Sequence, residues 1–550
     1  MAAESGETRP LLSDGQETDN EHRPLIDPGH VAESADEVEA QRGLFSRNLG
    51  TAEAFAIVIS IVIGSGIFTS PGSIDTNVPS PGVALVVWLV GGLLAWTGAS
   101  TMAELGTAIP GEGGVQPYLR YIFGDLAGFL AAWTWVVAVM PATLATLSIV
   151  FVESIYSAAG ITDQADRIEH KLLAILILTV ISVANSINTK ASTRLNSFFV
   201  VTKFLTIGAI VVAGLAVVII VATQSTGHPP GDHVGGHDWF SKPWFGTRPT
   251  VNPDGSTTDW DRLSEWEILG HYSTAIYGAL WAYSGWDKAI YVSAELSAPA
   301  TQLPLAINSA IPTIVFCFIA ANAAYYILLP WDVVSTTDSV AVTAITRLLG
   351  RGFGIVAAIF ICLVVAGSLL GNSFVASRMT VAAANRDWLP RVFARLGRIV
   401  SIKTETEGDD DEEVNEHGTT TETAEDPSVV LDAVASDAPI NAVMLSAILT
   451  AFYILVGNFR ALLTFNGLGE YSFFFLTVLG AIILRYREPD LKRPYKPFIL
   501  VPAVFAVLSG FVLVRGAIFA PVPAAVLVGL WILGGLVYYG RREYARRRAG

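Results

Sequence analysis

Charged side chains are scarce in this 550-residue chain: 15% of residues are Asp, Glu, Lys or Arg, against 52% hydrophobic. That balance excludes an ordinary soluble domain and points to a chain spending most of its length in a bilayer. Basic residues do not dominate either, 34 against 49 acidic, which argues against nucleic acid as a partner. Cysteine occurs only at Cys317 and Cys362, each inside an apolar run, so a disulfide framework and a thiolate metal site are both excluded. No nucleophile is paired with a base and no metal or nucleotide motif occurs, so neither enzyme activity nor a cofactor is expected. A cleavable signal peptide is not expected either, because residues 1–50 are polar, acidic and rich in Pro and Gly. That stretch reads as a disordered acidic cytosolic tail.

What is present is a series of long apolar runs. At roughly 20 residues per bilayer crossing, twelve spans are predicted near 52–78, 82–108, 126–158, 171–187, 196–222, 268–295, 305–329, 353–384, 439–457, 461–485, 497–517 and 520–539. Of the 49 acidic residues, 24 fall in 1–50 and 401–438, leaving an apolar body that is slightly basic. Lys190 and Arg194 follow span four, Arg386, Arg391, Arg395 and Arg398 follow span eight, and Arg485, Arg487, Lys492, Arg493 and Lys496 follow span ten. With the basic tail 541–550, the positive-inside rule places both termini in the cytosol. The expected organisation is a tail over 1–50, helices one to eight over 51–400, an acidic cytosolic linker over 401–438, and helices nine to twelve over 439–540. The loop 223–267 faces the opposite compartment, and neither it nor the linker reads as a folded domain. His228, His233 and His237 in that loop match no fixed ligand spacing, so metal binding is not expected.

Two spans are interrupted at their middle. Span one carries "VIGSGIFTSPG", breaking at Gly64-Ser65-Gly66, and span six, five spans later, carries "LWAYSGWDKA", breaking around Ser284-Gly285. Unwound backbone survives in a membrane only where it is buried or lines a hydrated cavity. Breaks at corresponding positions point to inverted five-helix repeats with a ligand site where the broken helices meet. The N–H groups and positive helix end in span one suit a carboxylate, and the carbonyls of span six suit an ammonium. An α-amino acid carries both. The competing reading is that Gly64 and Gly66 merely let helices pack closely.

These motifs, with "AELGTAIPGEGGVQPYL", "MPATLA", "SRMTVAAANRDWLP" and "LRYREPDLKRPYKP", resemble the L-type amino acid transporters of the amino acid–polyamine–organocation superfamily, especially fungal methionine-permease-like members. The resemblance covers nearly all of residues 50–500. It implies an all-α polytopic fold of 12 transmembrane helices, a LeuT-type 5+5 inverted repeat plus two helices. It also implies sodium-independent alternating-access transport of neutral L-amino acids such as methionine or leucine. Gly64, Ser65 and Gly66 would hold the substrate carboxylate. The carbonyls of Trp281, Ala282 and Ser284 would take the ammonium, Trp281 would occupy the place of an aromatic gate, and Val139 and Met140 would contact the substrate side chain. Animal members join a heavy chain through a cysteine between spans three and four. The loop near 158–170 has none, so a disulfide-linked heavy chain is not expected.

Lys203 stands about seven residues into span five, roughly 10 Å of helix. It either snorkels to the cytosolic interface or, as the resemblance implies, places its ammonium where sodium-coupled relatives bind a cation; from that place it would bridge span five to broken span one and couple transport to a proton. Glu104 and Glu295 suit a cap, a cytosolic gate or a substrate contact. Asp287 and Lys288 adjoin the second break, and Asp287 is the residue that would recruit a cationic substrate if the chain were a cationic amino acid exchanger. A non-transporting amino acid sensor is the other alternative. In the tail, Glu7 before Leu11-Leu12 and Glu21 before Leu25-Ile26 repeat a pattern that resembles the acidic dileucine signal read by clathrin adaptors. Such a signal would send the protein to the vacuolar or endosomal membrane rather than leave it at the plasma membrane.

Overall fold

A computed structural model describes residues 62–109, 114–161, 167–187, 189–223, 235–287, 298–394, 398–403, 430–435 and 439–549, with Thr51, Phe55, Val58 and Ile59 before them. The tail signals at Glu7, Leu11, Leu12, Glu21, Leu25 and Ile26 lie outside these residues, as do Lys288, Glu295, His228 and His233.

Span one is helical at Val58, Ile59 and Val62, breaks over Ile63–Ser65, and resumes as α1, Gly66–Asp75. Then follow α2, Pro81–Ala108; α3, Val115–Phe123; and α4, Asp125–Thr134, which continues through a π turn at Trp135–Val139 into α5, Met140–Ala158. Next come α6, Ile168–Ile187; α7, Thr189–Thr223; α8, Glu265–Ala282; α9, Pro299–Leu328; α10, Trp331–Thr336; and α11, Val340–Leu349. The remaining helices are α12, Arg351–Asn385; α13, Ile440–Val456; α14, Phe459–Arg487; α15, Leu500–Phe519; and α16, Pro521–Ala549. Among the described residues, nine helices are long and apolar enough to cross a membrane. The predicted spans that fall short are span one, whose helix α1 has 10 residues, span six, whose 18-residue helix α8 opens on polar turns with Glu265, Glu267 and His271, and span nine, whose helix α13 has 17 residues.

Local chemistry sets the helix starts. Pro81 opens α2 behind Ser80, whose hydroxyl accepts from the Val83 N–H, and α8 opens on a capping box between Ser264 and Glu267. Pro141 explains the π turn. It has no N–H to give the Val137 carbonyl, which accepts instead from Tyr453 Oη at 3.2 Å, while the Met140 N–H reaches back to the Trp135 carbonyl.

The element order occurs twice. A helix resuming or ending at a break (α1, α8) precedes a long helix that starts at a proline (α2, α9). A short helix follows (α3, α11), closed by a glycine with positive φ (Gly124 at 92°, Gly350 at 89°), and a long helix begins on the next residue (α4, α12). Counterparts pack on one another: α1 on α8, α2 on α9, and α5 on α12. The cross-contacts are matched as well, α7 lying on α12 and α14 on α5. Contacts that recur with the two copies exchanged are what an approximate two-fold relation between repeats produces.

Parts of the two segments that did not read as folded domains carry structure. Residues 235–264 form a packed cap rather than an open loop: a hairpin pairs Thr250 with Thr258, Trp260 is buried, and the Arg248 N–H donates to the Pro79 carbonyl. Burial pushes the Asp238 carboxyl up, but Lys242 and the Trp331 N–H outweigh it and hold the group below the usual carboxylate range. Composition concealed this because the cap's partners lie on α1, α9 and α10, distant in sequence. The predicted linker 401–438 is entered and left by paired strands, β1 (Arg398–Lys403) running antiparallel to β2 (Val430–Ala435).

Candidate binding site between the broken helices

The two breaks meet. A Cβ built on Gly66 would lie 2.4 Å from Ala282 Cα, so only glycine lets α1 approach the end of α8 this closely. A Cβ on Gly64 would make an ordinary 3.5 Å contact with Ser368 Oγ. The packing reading therefore holds for Gly66, where a side chain would collide with α8, whereas at Gly64 a Cβ would meet only ordinary contacts. Helix α1 starts at Gly66, and of its first-turn N–H groups that of Phe68 already donates to the Ser65 carbonyl at 2.9 Å. Helix α8 ends at Ala282 and is followed by Gly285 at φ 104°, a left-handed turn that a side chain would strain.

Between them is a cavity of about 30 Å³ lined by Val62, Gly64, Ser65, Gly66, Trp281, Ala282 and Ser284, together with Thr143 and Leu147 of α5 and Ser368 and Asn372 of α12. A single water needs about 10–15 Å³, so the site is contracted. Six predicted residues, Gly64, Ser65, Gly66, Trp281, Ala282 and Ser284, are brought together here. Of the three carbonyls assigned to an ammonium, that of Trp281 already accepts from the Ser284 N–H at 3.0 Å. Trp281 Nε1 is buried and finds no hydrogen-bond partner among the described residues.

Val139 and Met140 are placed elsewhere. Both are buried, but neither lines the cavity, and Val139 Cγ2 faces Gly469 of α14. The π turn takes in one more residue than an α turn and rotates the face presented, bringing Thr143 and Leu147 to the cavity instead. Thr143 Oγ1 also donates to Asn466 Oδ1 at 3.3 Å. The missed pair on α12 had a legible signal, since Ser368 and Asn372 are polar residues four apart on one face of an apolar helix. Asp287 is buried but outside the lining, its neighbour Trp286 donating to Tyr471 Oη at 3.4 Å. Lys203 is 3% exposed within α7, so it is not at a free surface. Among the described residues no group of His, Cys, Asp and Glu could hold a metal ion.

Two ionic clusters flank the site, and sequence reading had joined neither. Glu104, 1% exposed, receives Arg485 Nε at 2.9 Å and Arg493 Nε at 3.3 Å. Asp75, fully buried, receives Tyr326 Oη at 2.7 Å and Arg248 Nη2 at 2.5 Å. Beside it Arg460 pairs with Asp338 at 2.8 Å and donates to Thr76 Oγ1 at 2.8 Å.

The amino acid permease family profile matches residues 49–539. The chain belongs to the amino acid permease family. It is 26% identical over 495 residues to the human b(0,+)-type amino acid transporter 1, covering 90% of this chain and 87% of the relative. It is 28% identical over 524 residues to the rabbit (Oryctolagus cuniculus) large neutral amino acids transporter small subunit 2, covering 94% and 86%. As a permease the protein is an all-α polytopic membrane protein, and its relatives are transporters.

Proposed function

We propose that the protein is a secondary active, sodium-independent transporter of neutral L-amino acids such as methionine or leucine. One observation carries this reading: the start of α1 and the end of α8 meet at a cavity whose lining residues include no charged side chain. Backbone donors on one side and carbonyls on the other suit an α-carboxylate and an α-ammonium. A cationic side chain would find no counter-charge among those lining residues, which favours neutral substrates over cationic ones. The contracted cavity, with ion pairs on both flanks, suits an intermediate of alternating access by two inverted repeats. The reading extends to cytosolic termini, a fungal-type subunit without a disulfide-linked heavy chain, and residence in the vacuolar or endosomal membrane through the adaptor signals in the tail. Lys203, buried without being at the cavity, would link the bundle to the first half of span one and set the pH response of transport.

The test is uptake of one labelled neutral amino acid into proteoliposomes, competed by each standard amino acid at acidic and neutral pH. Accumulation inhibited by neutral L-amino acids supports the reading; binding without accumulation would make the protein a sensor. Gly66→Leu should abolish uptake with insertion intact. Wild-type rate and unchanged pH dependence in Lys203→Ala would remove Lys203 from coupling.

A further inference from the structure

A second and larger cavity, about 500 Å³, lies away from the amino acid site between α5 and α12. Its α5 side is Phe151, Ile155, Ala158 and Ala159, and its α12 side runs from Arg351 through Ala358 and Cys362 to Ala366. Those α12 positions recur every three or four residues, so they form one face, and fifteen residues of helix give the trench a length of about 22 Å. Its floor includes buried Ala358, while Ile155, Ile355 and Ile359 stand exposed along it. In a membrane-spanning bundle such walls face hydrocarbon. Cys362 adds no charge or strong donor here, its Sγ lying 3.6 Å from the Phe151 carbonyl.

Only the mouth is charged. Arg351 is exposed and is the first residue of α12, and its Nη2 donates to the Ala159 carbonyl at 3.0 Å, just past the end of α5. A guanidinium has five donors, so this one bond fixes its position without exhausting it. It stands over the positive end of a 35-residue helix. The mouth lies where α5 ends and α12 begins, the depth of the headgroups, whereas the trench descends along spanning helix. One leaflet of hydrocarbon is about 15 Å thick, half of the roughly 30 Å core, so a tilted acyl chain fits the length.

We infer that this trench is a binding site for one anionic phospholipid, an acyl chain lying between α5 and α12 and its phosphate on Arg351. Because α5 and α12 also supply Thr143, Leu147, Ser368 and Asn372 to the amino acid cavity, the lipid sits against the two helices that frame the site.

The full-length protein, reconstituted in phosphatidylcholine bilayers with a minority of phosphatidylglycerol and then extracted in mild detergent, is examined by native mass spectrometry. One phosphatidylglycerol should be retained. Arg351→Gln should lower its occupancy about fivefold, the effect of about 1 kcal/mol per basic group at a lipid surface. Ala366→Phe, filling the inner end, should lose it with the charge intact; if that variant does not fold, Ile359→Trp at the exposed wall replaces it. Retention of both lipids in their bulk ratio, preferential retention of an added sterol, or occupancy unchanged by either trench variant would each overturn the site. The readout does not depend on uptake, so it stands or falls apart from the transport reading.

Discussion

The two ends of α14 are closed differently. At its start, Arg460 joins Asp338 and Thr76 beside Asp75, which is held by Arg248 of the 235–264 cap and by Tyr326 of α9. At its far end, about 38 Å away at 1.5 Å per residue, Arg485 and the nearby Arg493 both converge on Glu104 at the end of α2. The Asp75 end is therefore latched by a long loop folded back over the bundle. The Glu104 end is latched by the ends of two helices and the short segment after α14. Both carboxylates are buried, and a buried charge is tolerable only while paired and hydrogen-bonded. With both latches engaged the cavity between them is contracted. Opening one side then requires water or substrate to replace the contacts of one cluster, and the difference in construction makes the Asp75 end the one whose release involves moving a loop.

Breaking each latch tests that contrast. Glu104→Gln leaves Arg485 and Arg493, 7% and 4% exposed, with backbone carbonyl acceptors but no counter-charge, and should cost about 3–5 kcal/mol, read as thermal unfolding of the purified protein. Asp75→Asn should cost less, about 1.5–3 kcal/mol. Its amide still accepts from Tyr326, and Arg248, in a loop and 13% exposed, can turn to water. Equal losses in the two variants would erase the distinction between the ends. Arg460→Ala breaks a pair whose side chains are 25% and 28% exposed and should cost about 1 kcal/mol, the upper end for exposed pairs; a loss as large as that of Glu104→Gln would make Arg460 part of the Asp75 latch itself. Rates of alkylation at Ser284→Cys, in a background with Cys317 and Cys362 replaced, should rise in the latch variants if release of one end opens the cavity.

Both breaks were legible because Gly64, Ser65, Gly66 and Gly285 stand in runs otherwise apolar enough to span a bilayer, at corresponding positions five spans apart. The long helices were legible for the same reason, their mean composition being set by the solvent around them. Val139 and Met140 were misplaced because the π turn depends on which carbonyl Pro141 leaves free and on Tyr453, 316 positions away, accepting the role of donor. The cap over 235–264 was missed because its polar composition resembles that of a solvated loop.

The amino-acid sequence by itself determined the kind of solvent this chain lives in, where its helices run, where two of them break, and the resemblance that names an amino acid as the ligand. These follow from local composition and from the rule that backbone in hydrocarbon must be hydrogen-bonded. Only the tertiary structure decided that Gly66 is packed against Ala282 where both glycines border a cavity, that Thr143, Leu147, Ser368 and Asn372 complete its wall, and which arginines meet Glu104 and Asp75. Those are contacts between residues hundreds of positions apart, 381 between Glu104 and Arg485, and no local rule of composition or periodicity carries information across such a distance.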